Sequence, residues 1–471
     1  MSRDESAPPL ALRIASRLPG LLAIAVAVVL WRLFFPALMS ADTMNQYGQA
    51  LTGRYLDWHP PFMAAVLNLV LRLGGTVGLF MLLQCLAGVF GVRALAAACL
   101  AQLYGPRLPP RRAGWLALLA LLVLLLPVTP LAFYLMTLWK DVWAMVLLLW
   151  LAAVLLRLTG REPQRERWPG ELLLVLALAV ALGLVRHNAV LVLPVAGWIL
   201  WSWRSRVDRR GALVLLVAPL AAWLASDVLL TRALHVQATK IERVVMALDL
   251  LGVCAADATA CDQLPFTRSH VLDPGYASRY PIVDAVVLFH GEPRIVDPGF
   301  YALASYDRLR SEYTRAARSF PWLLAKVKLA AFVRLLGVER TSYFIHDTIV
   351  DNPYGFVLDR RFAGARERLS TLTRGVAGSG WRWLSGVHLV WLVANVAWIA
   401  ALLVRYRRSG EARWRALAQV LLLPLAYSLS YLPAAPAADF RFLFPATLVV
   451  QCVTVAALLG GLAQKPRGRE P

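Results

Sequence analysis

The chain has 471 residues, of which 59% are hydrophobic and only 16% charged, and its formal net charge at pH 7 is +21. An ordinary soluble domain carries about 25% charged residues, so this composition argues against a soluble globular protein. A charge this positive would suggest nucleic-acid binding in a soluble protein, but the arginines here cluster in short gaps between apolar blocks, which is typical of membrane topology signals. The composition therefore indicates a membrane protein without a nucleic-acid partner.

The apolar blocks predict an all-α polytopic protein with about ten membrane-spanning helices, because a helix needs roughly 17–25 apolar residues to cross the hydrocarbon layer. In lipid every backbone amide must be hydrogen-bonded within its own segment, so we expect the blocks to be helical. The first block is too long for a signal-peptide core and is expected to remain as a helix. The predicted spans are residues 18–36, 76–101, 113–127, 141–157, 171–185, 189–203, 211–230, 387–404, 415–432 and 441–462.

The arginine distribution predicts that both termini are cytoplasmic. Alternate gaps between the predicted spans are rich in basic residues, whereas the intervening short gaps contain almost none. Because basic loops stay in the cytoplasm, this pattern places the basic gaps inside and the other gaps on the outer face of a bacterial inner membrane. The basic gaps contain Arg3, Arg13 and Arg17; Arg107, Arg111 and Arg112; Arg157, Arg161, Arg165 and Arg167; Arg204, Arg206, Arg209 and Arg210; Arg405, Arg407, Arg408, Arg413 and Arg415; Lys465, Arg467 and Arg469.

Two outer segments are too long to be simple connections. The first, 37–75, becomes amphipathic from Pro60 to Leu73, which predicts a helix lying along the membrane surface. The second, 231–385, should form an extramembrane domain of mixed structure, and it contains a helical stretch, Trp322–Leu336, whose basic residues argue against spanning. The predicted division is an N-terminal membrane module (1–230), an outer domain (231–385) and C-terminal membrane helices (386–471).

Two of the five cysteines, Cys254 and Cys261, lie close together in the second outer segment. Because the outer compartment is oxidising, their spacing is compatible with a disulfide, although spacing alone does not establish one. The other three, Cys85, Cys99 and Cys452, lie in apolar blocks and are interpreted as small core residues.

Four basic residues stand out at the outer ends of the predicted helices, namely Arg54, Lys140, Arg186 and Arg441. Charged groups at the ends of spanning helices are costly unless they reach water, form pairs or line a cavity. Two interpretations remain open. Either the four converge on an anion, such as the phosphate of a lipid carrier, or each side chain extends separately to the membrane interface.

The most specific segment is SADTMNQYGQALTGRYLDWHPPFMAAVLNLV, which spans Ser40–Val70. Asp42 follows directly on the first predicted helix, and the run Trp58–Pro61 ends the polar stretch. The proline pair starts a helix, where a missing N–H costs little. Besides a role in chemistry, Asp42 suits the position of an N-cap for a short helix over Thr43–Leu51, and both interpretations can hold together.

With an early aspartate, then a tyrosine, a glycine and His-Pro-Pro before an amphipathic helix, this loop resembles the first outer loop of GT-C fold glycosyltransferases. The resemblance is to the group related to protein mannosyltransferases and the aminoarabinose transferase of lipid A. Thr43 follows Asp42 where that family usually has a second acidic residue, so we assign no metal ligand. The cofactor is unknown, and the sequence does not indicate a divalent metal. Three further segments resemble loops of the same family, namely Thr137–Asp141, Leu184–Asn188, and Asp439–Phe442 followed by Pro445.

The resemblance implies an enzyme that moves a sugar from a polyprenyl-phosphate donor to a lipid or glycan acceptor at the outer face of the membrane. Such a transfer needs a base for the acceptor proton and cations that stabilise the leaving phosphate. Asp42 is the first candidate for the base and His59 the second, because an unperturbed histidine titrates near pH 6.5. The candidates for binding the donor phosphate are Lys140, Arg186, Arg441 and Arg54.

The remaining candidates have two open interpretations each. Asp141, a third catalytic candidate, either binds the acceptor or pairs with the adjacent Lys140. Tyr47, Asp57 and Asn188 either contact the acceptor or have structural roles.

Two other functions compete with sugar transfer. A transporter or lipid flippase would typically show paired repeats and broken helices near the middle of the membrane, and neither is visible in the sequence. A non-catalytic protein of envelope assembly would use the 231–385 segment to bind its partners. The sugar, the acceptor and the oligomeric state are not encoded in any motif that we recognise.

The predicted topology can be tested with a reporter enzyme fused after Gly275. Because all six arginine-rich gaps lie on one side, we expect a periplasm-dependent reporter at this position to be active. A reporter at this position that is active only in the cytoplasm would reverse the topology.

Overall fold

The structure is a computed structural model, which describes residues 10–159, 168–202, 209–273, 275, 294–338, 344–435 and 437–464. Within these residues the secondary structure is helical, accompanied by isolated β-bridges and by no strand. The expected mixed structure of the outer domain is therefore not seen in its described part. Several of the predicted cytoplasmic arginines lie outside the described residues, namely Arg3, Arg161, Arg165, Arg167, Arg204, Arg206, Arg467 and Arg469.

Twenty-one described α-helices are numbered in chain order. They are α1 (Leu10–Leu33), α2 (Ala41–Thr52), α3 (Phe62–Arg72), α4 (Val77–Tyr104), α5 (Pro110–Leu124), α6 (Leu131–Leu135), α7 (Lys140–Thr159), α8 (Trp168–Val185), α9 (Val192–Trp201), α10 (Arg209–Ala233), α11 (Glu242–Ala256), α12 (Ala258–Asp262), α13 (Pro265–His270), α14 (Tyr306–Ser319), α15 (Pro321–Leu335), α16 (Ala363–Gly378), α17 (Arg382–Ser385), α18 (His388–Ser409), α19 (Ala412–Val420), α20 (Leu422–Leu429) and α21 (Phe444–Ala463). Short 3-10 turns occupy Gly105–Arg107, His187–Leu191, Leu303–Ser305, Arg360–Phe362 and Phe440–Phe442.

Among the described residues, 5 helical segments are long and apolar enough to cross a membrane. They are Val77–Arg107, Lys140–Thr159, Leu213–Ala233, His388–Ser409 and Phe444–Ala463. The other predicted spans also coincide with helices. Helix α1 has 24 residues, whereas α5, α8 and α9 have 15, 18 and 10, and the predicted span 415–432 is divided into α19 and α20 at Leu421. The chain is a helical membrane protein, as its composition predicts; which side its termini occupy stays a prediction.

Three of the long helices form the centre of the membrane region. In the most apolar stretch of each helix, the buried share of residues is 61% in α4, 72% in α7 and 56% in α21. The corresponding share is only 11% in α10 and 11% in α18. Helix α4 packs against α7, α21, α5 and α1. The apolar side chains of α10 and α18 therefore face outward, where lipid would cover them.

The outer segment between α10 and α18 has an apolar core of its own. Helices α11, α13, α14 and α15 bury a cluster that includes Leu250, Phe300 and Leu309. The predicted disulfide between Cys254 and Cys261 is present and joins α11 to α12. The two helices predicted in the outer segments are confirmed as α3 and α15. The domain boundaries themselves remain a prediction.

Backbone pairing holds the first outer loop against two other segments. Leu38 pairs with Thr137 just before α7, and Met39 pairs on its other side with Ile349. The Met39 N–H donates to the Thr348 carbonyl over 3.1 Å, and the Val350 N–H donates to the Met39 carbonyl over 3.0 Å. Farther along, Leu56 pairs with Gln237 after α10. The loop that carries Asp42 is thus held between the membrane helices and the outer segment.

Helices α9 and α10 pack so closely at Gly197 that a side chain there has no room. A β-carbon at this position would lie 2.0 Å from the carbonyl oxygen of Leu216, and a backbone atom cannot turn away as a flexible side chain can. We expect Gly197→Ala to destabilise the protein by about 1–3 kcal/mol, the usual cost of overpacking, as measured by thermal unfolding in detergent. Gly170→Ala is the matched control, because nothing lies within 4 Å of a β-carbon there. Equal melting temperatures for the two variants would contradict the packing.

Candidate functional site

Four of the predicted site residues meet at one end of the helix bundle. One oxygen of Asp42, Oδ2, accepts a hydrogen bond of 2.7 Å from Arg441 Nη1, and the other, Oδ1, lies 3.5 Å from Nε2 of His59. On the far side of the imidazole, Nδ1 of His59 lies 2.5 Å from Nζ of Lys140. Residues from the first outer loop, the start of α7 and the turn before α21 therefore form one continuous polar chain.

Asp42 is not the helix cap that the sequence suggested. Helix α2 begins at Ala41, its N-cap is Ser40, and the hydroxyl of Thr43 accepts a hydrogen bond of 3.1 Å from the Ser40 N–H. The same hydroxyl donates to the Leu138 carbonyl over 2.8 Å and so joins α2 to the segment before α7. Asp42 stands in the first turn, where a carboxylate is favoured by the helix dipole, and its oxygens are directed to other groups.

Arg441 is held from three directions. It lies in the 3-10 turn before α21, where Asp439 accepts a hydrogen bond of 3.1 Å from the Arg441 N–H, and Asp439 Oδ2 lies 2.7 Å from Arg441 Nε. Its guanidinium carbon lies 4.9 Å from the ring centre of Trp139. Two carboxylates and an aromatic face thus fix the direction of the guanidinium group.

Arg186 and Asp141 form a second, deeper pair. Arg186 Nη2 lies 2.5 Å from Asp141 Oδ1, and both side chains are almost fully buried. The pairing of Asp141 with Lys140 that the sequence left open is therefore wrong. The guanidinium carbon of Arg186 also lies 4.6 Å from the ring centre of Phe442. Despite these contacts, Nε of Arg186 makes no hydrogen bond within the part of the chain that the structure describes.

The other predicted residues have different surroundings. Arg54 is exposed, and no side-chain contact joins it to this cluster among the described residues. Asp57 accepts hydrogen bonds of 2.5 Å from the backbone and the hydroxyl of Thr239. Tyr47 packs edge-on against Tyr354, with ring centres 4.8 Å apart. Asp57 and Tyr47 thus join the first loop to the outer segment.

Asn188 has a contact that fits its structural interpretation. Its side-chain amide donates a hydrogen bond of 2.9 Å to the hydroxyl of Ser430. This bond links the turn after α8 to the end of α20, and the turn carries Arg186. Asn188 thereby helps to fix the position of that arginine.

Several residues of the site were not among the predicted set. Asp439 is visible in the sequence as the acid two residues before Arg441, in a segment that resembles a loop of the GT-C family, but it was not assigned a role. His346 lies with its ring centre 5.6 Å from that of Trp139, and Phe442 separates the two arginines. His346 belongs to the long outer segment, where no local pattern indicates proximity to α7.

The carboxyl groups of Asp42 and Asp439 have pKa values that are shifted in opposite directions. Burial alone would raise the pKa of the Asp42 carboxyl, but Arg441 and then His59 hold its pKa well below its usual value, so it is ionised. Burial raises the pKa of Asp439 to about 7, against the opposing effect of Arg441.

His59 is neutral in this structure. Burial, and after it the Lys140 charge, lowers the pKa of the imidazole from 6.5 to about 4, although Asp42 opposes the change. The unperturbed value assumed from the sequence does not apply. If Lys140 donates to Nδ1, the imidazole proton is on Nε2 and points to Asp42, so neither ring nitrogen has a lone pair free for another partner.

A cavity of the described chain lies away from this cluster. About 600 Å³ in volume, it is bordered by α9, α18 and α19, with Trp198, Tyr406 and Arg415 among its lining residues. These residues lie toward the ends of the helices opposite to Asp42 and Arg441. Separately, no group of three or more His, Cys, Asp or Glu side chains among the described residues is placed to hold a metal ion.

Comparison with known proteins gives one distant similarity. No family model and no curated protein sequence matches the chain. The crystal structure of ArnT from Cupriavidus metallidurans bound to undecaprenyl phosphate is structurally similar at a TM-score of 0.33 and 14% sequence identity, covering 89% of this chain and 78% of that one.

The low pKa of His59 predicts a pH-dependent contribution to stability. Between pH 6.5 and about 4 the unfolded chain binds a proton at this residue that the folded protein does not, so acidification through this window destabilises the fold. His59→Gln lacks this titrating group, so its stability should fall less on acidification than that of the parent. The difference between the two free energies of unfolding, variant minus parent, should therefore increase by at most about 3 kcal/mol as the pH falls through the window. Thermal unfolding across this pH range measures it, with the exposed His235→Gln as the control for loss of a histidine. A stability difference that is constant with pH would contradict the assignment.

Proposed function

We propose that this protein is a membrane glycosyltransferase that moves a sugar from a polyprenyl-phosphate donor to a lipid or glycan acceptor of the cell envelope. The observation that supports this most directly is the meeting of Lys140, Arg186 and Arg441 with the carboxylates of Asp42 and Asp141 at a single end of the helix bundle. The contacts favour convergence of the basic residues over separate extension to the interface. The resemblance of the first outer loop to GT-C glycosyltransferases accords with this chemistry.

The cations suit a phosphate group. Arg186 is buried, and its Nε has no hydrogen-bond acceptor in the described chain, which is costly unless a ligand or water supplies one. Lys140 has the neutral His59 as its partner, so its charge is not balanced by direct contact with a carboxylate within the described residues. Cations placed where charge builds on a leaving phosphate stabilise the transition state. In this proposal Lys140, Arg186 and Arg441 bind the donor phosphate.

Asp42 is the proposed base. The acceptor hydroxyl attacks the anomeric carbon of the sugar, the bond from that carbon to the phosphate oxygen breaks, and its electron pair goes to the phosphate. The hydroxyl proton goes to Asp42. In the structure Arg441 weakens Asp42 as a base, because it lowers the pKa of the carboxyl. A donor phosphate that attracts Arg441 would reduce this effect, so Asp42 becomes a stronger base when donor is bound.

His59 and Asp141 take supporting roles in this proposal. His59 lies between Lys140 and Asp42 and orients both side chains. In this proposal it is therefore a positioning residue and not a second base. Asp141 is buried beside Arg186 and orients that guanidinium group. Both assignments follow from contacts that leave these groups little freedom to meet an acceptor. The proposed location remains the outer face of the inner membrane.

The proposal separates binding from chemistry in two sets of variants. Asp42→Asn should bind undecaprenyl phosphate as tightly as the parent or tighter, because the substitution keeps the size and frees Arg441. It should lower transfer from undecaprenyl-phosphate-linked sugars by about 10²–10⁴-fold, the usual contribution of a general base. Arg186→Gln should instead weaken binding of undecaprenyl phosphate itself, since the arginine contacts the phosphate in the ground state too.

Two controls match these variants. Asp57→Asn removes an acid of the same loop that contacts Thr239, and Arg54→Gln removes an exposed cation of that loop. Binding is measured with purified protein in detergent, and transfer with radiolabelled lipid-linked sugars added to membranes. Full transfer by Asp42→Asn would reject its role as base, and undiminished lipid binding by Arg186→Gln would reject the phosphate site.

A further inference from the structure

Helix α15 exposes an apolar stripe that no described part of the chain covers. Trp322, Leu329 and Val333 are exposed by 82%, 53% and 45%. With 3.6 residues per turn, positions 322, 329 and 333 lie within about 40° of one another around the helix axis. The stripe therefore extends along almost the whole length of α15.

The opposite side of α15 is apolar as well. Leu324, Phe332 and Leu335 are buried against the rest of the protein. A helix that is apolar on both sides is typical of a buried or lipid-covered position, whereas a water-facing helix of an outer domain is polar on its exposed side. Helix α14 is such a helix, with Arg310, Ser311 and Arg318 exposed. The exposed side of α15 thus calls for an apolar environment.

The position of α15 identifies that environment. Directly after α15, the Leu336 carbonyl accepts a hydrogen bond of 3.0 Å from the Leu389 N–H, at the start of the membrane-spanning α18. The C-terminal end of α15 is therefore at the level where α18 meets the membrane surface. The exposed face of α18 continues the apolar surface with Val393 and Val396, which are exposed by 59% and 50%.

Aromatic and basic residues of this region also fit a membrane interface. Trp381 and Trp383, just before α18, are exposed by 62% and 47%. Tryptophan is enriched at the level of lipid headgroups, where its ring meets both apolar and polar surroundings. Lys326 is exposed within the stripe itself, between Trp322 and Leu329, and its long side chain can carry its charge to the headgroups.

We infer that α15 lies in the membrane surface on the side of the charged cluster, with Trp322, Leu329 and Val333 buried at the boundary of headgroups and acyl chains. The partner of this surface is the lipid bilayer itself, and α15 with α17 holds the outer domain down on the membrane. This inference does not depend on the proposed enzymatic activity, because it rests on the apolar stripe and its continuity with α18.

Site-specific fluorescence quenching tests the inference in the full chain. Leu329→Cys and Val333→Cys are labelled with bimane and reconstituted in nanodiscs of phosphatidylcholine with a minority of phosphatidylglycerol. Part of the lipid carries a nitroxide quencher near the headgroup end of one acyl chain. Since interfacial helices sink about 5–10 Å into the boundary region, we expect quenching about threefold stronger than at a label in water. Ser311→Cys on α14 is the matched control, because it is exposed on the polar neighbouring helix.

The native cysteines do not interfere, since Cys85, Cys99 and Cys452 are fully buried and Cys254 is bonded to Cys261. The unsubstituted chain, taken through the same labelling, gives the background. Quenching at 329 and 333 no stronger than at 311 would overturn the inference. The inference would also be overturned if the labels at 329 and 333 were shielded from the lipid quencher by a second copy of the chain in the same nanodisc. The stripe would then be a protein contact.

Discussion

The ion pair between Asp42 and Arg441 joins the first outer loop to the turn before the last helix, and the site is organised around it. Neither charge is stable in isolation in such a buried place, because an uncompensated buried charge costs several kcal/mol. Arg441 is shared between Asp42 and Asp439, with Trp139 beneath it. Since these groups come from both ends of the chain, the pair can form only when the membrane helices have assembled.

The backbone around this pair restricts its movement. Leu38 and Met39 pair with different segments on their two sides, and the Thr43 hydroxyl joins α2 to the segment that precedes α7. Groups that must act together in a reaction have to be held within a fraction of an ångström, and a loop fixed on both sides achieves this better than a free one.

The outer segment contributes to the site in two ways. His346 packs against Trp139, which lies beside Arg441, and Ile349 pairs with Met39 at the start of the loop that carries Asp42. On the other side, Lys328 of α15 forms a buried pair with Asp249 at 2.5 Å and donates to the Pro433 carbonyl over 2.6 Å, in the loop between α20 and Arg441. A membrane-bound α15 would thus be connected through Lys328 to the loop that leads to the site. The contacts of Lys328 in this way link α15 to the loop that precedes Arg441.

Hydropathy and charge patterns of the sequence by themselves determined the membrane class, the helical positions of the spans, the helices α3 and α15, and the nearness of Cys254 to Cys261. These features depend on local composition or short spacing, which the chain displays directly. The alternation of basic gaps also placed Lys140, Arg186 and Arg441 at the same ends of their helices, as the cluster requires. Only the tertiary structure decided the partners: Asp141 pairs with Arg186, Ser40 rather than Asp42 caps α2, and Arg54 stays outside the cluster. Partner choice depends on how helices distant in sequence pack and rotate against one another, and no local pattern of residues records that.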